Sequence, residues 1–293
     1  RQCVALEPLV LPARTASYQQ WAHVLQGRHG ALLPQRPYWQ AQMQPPSVLP
    51  CDDAGGEATM RQRQEMSFGL DKERTNALLR RVPAAYRTRI NDVLLTALVR
   101  ALCGWSGLSE IQVDIEGHGR EDGTGQLDLS RSVGWFTSVF PLRLSGAGTP
   151  QQALKRIKES LRAVPEAGLG FGLLRQAGNL PGSSSSPVIF NYLGQFDASF
   201  DGTSGWRPAQ EESGAAIDPD APMQHEFAVE GQVYDGQLLI NVAYSGKRYA
   251  RASVQAWVER FEQELDALIT HCTSGACGAT PSDFPLAGLD QTA

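Results

Sequence analysis

The stretch IQVDIEGHGRED, residues 111–122, is followed after a short polar segment by RSVGWFTSVFPLRL, residues 131–144. Together they read as a strand, a glycine-flanked turn and a second strand broken by proline. In the first, Ile111, Val113 and Ile115 alternate with Gln112, Asp114 and Glu116, so the apolar set shares one face of a strand and the polar set the other. Glu116 closes the polar face, and a carboxylate, an imidazole and a guanidinium (Glu116, His118, Arg120) fall within five residues. Gly117 and Gly119 bracket His118, and glycine permits backbone angles and close approaches that a side chain blocks. That suits a ligand or a tight turn. In the second, the aromatic pair Trp135-Phe136 precedes Ser138-Val139-Phe140, and Pro141 then removes a ladder donor, which predicts an edge strand or a bulge. The region is expected to wall a cleft.

Outward from this centre the pattern alternates helices and strands. Ala16–Gln26 reads as an amphipathic helix with Trp21, Val24 and Leu25 on its apolar side. Residues 44–56, rich in Pro, Asp and Gly, read as a linker before a strand near Gln62–Phe68. A helix is expected from Leu70-Asp71 to about Arg81, stopped by Pro83, and then a second helix capped by Thr88 or Asn91. The apolar stripe Ile90, Val93, Leu94, Ala97, Leu98 and Leu102 predicts that this second helix is deeply packed. Thr149-Pro150 starts another helix through Ala163, with Ala153, Leu154, Ile157 and Leu161 inward and Lys155, Arg156, Lys158 and Glu159 outward. A Gly-Ser turn, Gly182–Ser186, expected to be mobile over Ser183–Ser186, leads into a buried strand, Pro187–Gly194, and Gly202–Pro222 reads as a loop. Glu226–Val233 and Gln237–Tyr244 form a hairpin about Tyr234-Asp235-Gly236, in which Asp-Gly is the turn signal. Ala252–Ile269 closes the chain as an amphipathic helix. The fold class is α/β, a mixed sheet with packed helices.

Composition narrows the function classes. With 293 residues, 42% hydrophobic and 19% charged, the chain has the make-up of a globular domain with a sizeable core. A net charge of -5 with signs interspersed offers no basic stripe, so neither nucleic acid nor an anionic membrane surface is an expected partner. Val4–Leu11 is too short, and too broken by Glu7 and Pro8, for a signal or membrane segment, and the start at Arg1 reads as an internal cut. The five cysteines lack metal-ligand spacing, so no metal site is expected, and they read as reduced cytoplasmic thiols.

Four motifs resemble, in order, the core motifs of the epimerization domains of nonribosomal peptide synthetases: EGHGRE at Glu116–Glu121, RSVGWFTSVFPLRL at Arg131–Leu144, PEAGLGFG at Pro165–Gly172 and FNYLGQFD at Phe190–Asp197. These domains belong to the condensation superfamily, and the resemblance extends from about Leu11 to His271. It implies a chloramphenicol-acetyltransferase-like lobe of a two-lobed fold. Residues 1–56 would be connector helices and linker from an N-terminal lobe, and residues 57–293 the C-terminal lobe. One motif of the superfamily, His-His-x-x-x-Asp-Gly, does not occur in the chain, whose histidines His23, His29, His118, His225 and His271 are isolated.

The resemblance also implies a reaction: inversion, L to D, at the α-carbon of an aminoacyl or peptidyl thioester. The substrate is held on the phosphopantetheine of a peptidyl carrier protein, with no dissociable cofactor and with the N-terminal lobe as second partner. The thioester acidifies the α-proton, but the reaction still needs a base, a donor on the opposite face and a stabilised enolate oxygen. Glu116 is the first proton-handling candidate, since a desolvated carboxylate both takes and returns a proton; the absent histidine motif would supply the other. Tyr192 either reaches the same cleft or is a half-buried strand tyrosine. His118 and Arg120 are read mainly as loop supports beside the substrate channel. Trp135, Phe136 and Thr137 are read as lining that channel, with core packing the commoner role for Trp135, and Asn191 and Gln195 either bond the amide-rich arm or tie strand ends. His225 reads as a strand-start histidine rather than a base, and the remaining histidines receive no role. Two other readings stand: a peptide-bond-forming condensation domain, and a non-catalytic module that docks a carrier protein.

Overall fold

The computed structural model describes residue 8 and residues 10–45, 47–121, 123–182, 186–196, 211, 214 and 216–287. The Ser183–Ser185 part of the Gly-Ser turn and most of the Gly202–Pro222 loop lie outside that set.

The chain opens with α1 (Tyr18–Gly27), α2 (His29–Leu32) and α3 (Arg36–Met43). Ser17 caps α1, its hydroxyl accepting from the Gln20 amide while the Gln20 side chain accepts from the Ser17 N–H. Strand β1 (Arg63–Leu70) leads into α4 (Lys72–Asn76), a π-helical turn (Ala77–Arg81) and α5 (Val82–Tyr86). The expected stop at Pro83 therefore does not occur. In the π turn the Val82 N–H reaches back five residues to the Ala77 carbonyl, so the chain passes the position where Pro83 has no donor, and it ends instead at left-handed Arg87.

Helix α6 (Ile90–Ser106) is the centre of the core, with Val93, Leu94, Leu95, Leu98, Val99 and Leu102 at 0% exposure. Each large aliphatic side chain removed from water contributes about 1.5–3 kcal/mol, so six on one helix make it a principal source of stability. Neither Thr88 nor Asn91 caps it. Arg89 holds the cap position, and Asp92, one turn in, accepts from the Arg89 N–H at 2.6 Å and pairs with Arg162 at 2.7 Å.

Strands β2 (Glu110–Gly117) and β3 (Ser138–Ser145) follow, then α7 (Pro150–Arg162), α8 (Leu169–Gln176), β4 (Val188–Gln195), β5 (Phe227–Tyr234), β6 (Gln237–Ser245) and α9 (Arg251–Thr273). The β5–β6 turn is two residues, Asp235 and Gly236, both with positive φ, as the Asp-Gly signal predicts. The six strands form one mixed sheet in the order β1-β6-β5-β4-β2-β3, parallel at β2–β4 and β4–β5 and antiparallel elsewhere. β3 is an edge strand, where a proline is tolerated, and its Pro141 lies opposite Asp114.

One face of the sheet, carrying Val113, Phe190, Val229 and Ile240, packs under α6, α7 and α9. The other carries the polar alternation. A second, smaller cluster joins Trp21 and Leu25 of α1 to Leu129, Phe136 and Leu169. Two expectations fail for charged or polar groups. Lys158, expected outward on α7, is 1% exposed, because Asp283 and the Tyr86 carbonyl satisfy its ammonium at 2.7 and 2.8 Å. Ser186, expected to be mobile, is buried and bonded to Asp114.

Candidate active site

Glu116 sits near the C-terminal end of β2, half-buried. β4 runs parallel to β2 with Val113, Asp114 and Ile115 beside Val188, Ile189 and Phe190, so the next step along the register sets Asn191 beside Glu116. The Asn191 amide donates to the Glu116 carboxylate at 2.6 Å. Asn191 in turn pairs with Glu230 on β5, giving a carboxylate, an amide and a second carboxylate across three adjacent strands on one face. Burial pushes the Glu116 carboxyl above the ordinary glutamate range and the negative charge of Glu230 adds to the rise, while His225 and the Asn191 hydrogen bond oppose it.

Two residues back along the same face, Asp114 is buried and bonded twice. It accepts from the Ser186 hydroxyl at 2.5 Å and meets His225 Nε2 at 2.9 Å. This hub fastens the approach to β4 and the segment ahead of β5 to the strand that carries Glu116. The neighbouring Gln112, fully buried, donates its amide to the Gln42 carbonyl at 3.0 Å, so the polar face is closed over at that end.

Tyr192 does not join this site. Alternation sends it to the opposite, helix-packed side of the sheet, over Gly231 and beside the main core, and burial raises its phenol above the usual value. Its hydroxyl is buried without a hydrogen-bond partner among the described residues. Glu116 and Tyr192 are therefore on opposite faces, the physical consequence of an odd step from Asn191.

The turn after β2 is built for shape. Gly119 has φ 63°, and a Cβ there would overlap the Phe136 carbonyl, so only glycine lets the two motifs meet. His118 Nδ1 accepts from the Arg120 N–H at 3.0 Å, and the ring is largely exposed beside Glu121. Arg120 donates to the Leu129 and Ser132 carbonyls at 2.8 and 2.9 Å and stacks over Phe136, its guanidinium carbon 4.4 Å from the ring centre. Both bonds come from Nη1 and tie the side chain to the loop. Phe136 is core to the α1 cluster, at 4% exposure, so the expectation that it lines the channel is corrected; Trp135, expected inward, is 80% exposed. Thr137 is exposed between them and β3. Gln195 is exposed past a bulge in β4, near Lys72, Asn76 and Arg80 and away from the Asn191–Glu116 bond. His23, His29 and His271 lie on helices, and His271 bonds the Tyr86 hydroxyl at 2.8 Å.

Of the expected residues, then, the fold joins Glu116 and Asn191. Asp114, Ser186 and Glu230 were not singled out in the sequence, although Asp114 shares the alternating face with Glu116. The partners of Asp114 lie 72 and 111 residues away in sequence, so no local pattern announces them. No group of three metal-ligating side chains occurs among the described residues, and no described helix is long and apolar enough to cross a membrane.

A mixed six-stranded sheet backed by helices, with a desolvated, amide-bonded carboxylate at a strand end on its other face, defines an α/β protein suited to proton transfer. The profile of the condensation-domain family matches residues 2–278, and the chain belongs to that family. It is 39% identical to one of the linear gramicidin synthase proteins of Brevibacillus parabrevis over 99% of its own length and 6% of that protein. It is 33% identical to tyrocidine synthase 1 of the same organism, again over 99% of its own length and over 28% of that protein, so it spans only a small part of these relatives. A solved epimerization domain from the third module of tyrocidine synthetase B is 31% identical and superposes with a TM-score of 0.85, covering 93% of this chain and 63% of that one. The condensation domain of the Monacolin K polyketide synthase, at 16% identity and a TM-score of 0.64 over 94% of this chain and 65% of that one, shares the fold alone.

Proposed function

We propose that residues 57–293 are the C-terminal lobe of an epimerization domain of a nonribosomal peptide synthetase and that residues 1–56 are the connector from its N-terminal lobe. In this reading the domain inverts the α-carbon of an aminoacyl or peptidyl thioester carried on the phosphopantetheine of a peptidyl carrier protein, in a cytoplasmic setting. The observation that carries the reading is the Glu116–Asn191 bond, which joins the EGHGRE and NYLGQ motifs in one desolvated site. The similarity to a solved epimerization domain supports it.

The chemistry follows from the carboxylate. Ionised Glu116 takes the α-proton, and the electron pair of the broken C–H bond moves into the thioester carbonyl as an enolate. A proton from a second group on the other face restores the C–H bond with inverted configuration. Burial brings the carboxyl's affinity closer to that of the acid it must deprotonate, which favours transfer in both directions. Asn191 fixes the carboxylate's direction and keeps it from turning to solvent. The second group, in the histidine motif that these residues do not contain, belongs to the N-terminal lobe.

The test is deuterium incorporation at the α-carbon of a carrier-bound aminoacyl thioester in heavy water. It compares this chain, the same domain extended upstream through the histidine motif, and the extended domain with Glu116→Gln. Exchange by the extended domain that falls at least about 100-fold in Glu116→Gln is the expected result, the size typical of a lost acid–base group. One rival within the same family is a peptide-bond-forming condensation domain. Peptide-bond formation without α-exchange would select it, and carrier binding without either reaction would select a docking module.

A further inference from the structure

The backbone behind Glu116 is braced by a turn that folds against its own preference. Glu166 and Ala167 have φ 45° and 51°, and Gly168 follows at 86°, so three consecutive residues of the PEAGLGFG motif are left-handed. Glycine takes that conformation freely, whereas glutamate and alanine take it only when their surroundings hold them there. The turn lies on the face of β2 that carries Ile115 and Gly117, opposite the Glu116 side chain. A Cβ on Gly117 would stand 3.6 Å from the Ala167 carbonyl oxygen, and one on Gly168 would overlap the Phe140 ring. The turn is thus pressed onto the β2–β3 ladder at the residue after Glu116, where Phe140 and Val139 are the partners of Ile115 and Glu116.

Two side chains from the opening helices hold it there. Arg28, at the α1–α2 junction, donates from Nη1 to one Glu166 carboxylate oxygen at 2.5 Å, and Gln35, ahead of α3, donates its amide to the other at 3.1 Å. Gln35 is itself fixed, accepting from the indole of the fully buried Trp39 at 3.2 Å. Arg28 also packs on the loop beyond Glu121, since a Cβ on Gly123 would overlap its guanidinium. One arginine therefore touches both the loop that leaves the end of β2 and the turn behind it. We propose that Arg28 and Glu166 are positioning residues for Glu116, their ion pair clamping the left-handed turn against Gly117 so that the carboxylate keeps its place beside Asn191. The clamp's use in catalysis rests on the proposed reaction, while its geometry does not. Without the pair, the turn relaxes toward right-handed angles, the Ala167 carbonyl withdraws and the strand end is free to shift; small displacements of a reacting group slow a reaction steeply. Because Arg28 belongs to the proposed connector, the clamp ties the site to the segment that joins the two lobes.

The experiment couples amide hydrogen exchange of this chain, read by mass spectrometry over residues 114–116 and 138–140, with α-proton exchange by the extended domain. Arg28→Met and Glu166→Ala should each speed amide exchange in those segments about tenfold, the loss of one charged hydrogen bond. Ala167→Gly accepts the left-handed angles without strain, so adding it to Arg28→Met should return most of the protection. Arg87→Gly relieves a left-handed residue at the end of α5 and controls for general stabilisation; it should not return it. In the extended domain, Arg28→Met should lower kcat for α-exchange by about 10- to 100-fold with KM for the carrier-bound thioester unchanged, and Ala167→Gly should restore it. Three results would overturn the proposal: unchanged amide exchange at the β2–β3 end, equal rescue by the two glycine variants, or a kcat indifferent to Arg28→Met where Glu116→Gln abolishes it. If the extended domain shows no α-exchange at all, the reaction falls, and amide exchange with its rescue still decides the clamp.

Discussion

Glu116 illustrates the cost of holding a functional carboxylate out of water. Its proton affinity is higher in the folded chain than in the unfolded one, so its contribution to stability is fully present below the unfolded value of about 4.3 and is lost as pH rises through the folded value. At neutral pH the ionised group therefore works against the fold. Glu116→Gln, which keeps an acceptor for the Asn191 amide, should melt higher than the parent at pH 7–8, and the advantage should shrink to nothing as the pH falls below about 4. Thermal scans across that range check the sign. A variant that lowers the melting temperature at neutral pH would mean that the carboxylate is better satisfied than the Asn191 bond alone allows. At this scale the strand-end glutamate and its alternating face were legible in the sequence, since both follow from period two. The face of Tyr192 was not, because a motif places a residue in a chain order and only the pleat decides which way it points.

Among the elements, α7 shows how one buried ion pair fixes a remote segment. Lys158 holds Asp283, in the short turn that follows α9, and the Tyr86 carbonyl at the end of α5. Burial alone would raise the Asp283 carboxyl, but bonds from Lys158 and from the Thr280 N–H outweigh it and hold the group below the usual aspartate range. Its stabilisation is thus present above the ordinary value and lost as pH falls through the depressed one. Lys158→Met should cost about 3 kcal/mol in urea unfolding, since it strands a nearly buried carboxylate, and Lys158→Met with Asp283→Leu should recover most of that. Equal losses in the single and double variants would show that the ammonium's packing, not its charge, is what matters. Helical spacing ranks residues by polarity and so put Lys158 outward. It could not register a partner 125 residues away. The helix expected to stop at Pro83 failed for a related reason, as propensity rules assume i→i+4 bonding and the chain adopts a π turn.

At the scale of the whole molecule, α6 packs on the sheet and against its companion helices α7 and α9, which also reach the sheet. Its amides should exchange with solvent last, through global unfolding, while those of the Gly117–Glu121 turn exchange early; hydrogen exchange followed by mass spectrometry checks the order. Rapid exchange across Leu94–Leu102 would mean that the core is looser than its burial implies. By itself the sequence determined the six strands, the longer helices, the Asp-Gly hairpin and the family motifs, because these depend on local periodicity, turn chemistry and residue order; α3 and α8 carried no comparable signal. Only the tertiary structure decided that β4 inserts between β2 and β5, that Asn191 reaches Glu116, and that Asp114, Ser186 and His225 form one hub. Strand order and long-range pairing depend on which surfaces bury each other, and that is a property of the folded whole rather than of any window along the chain.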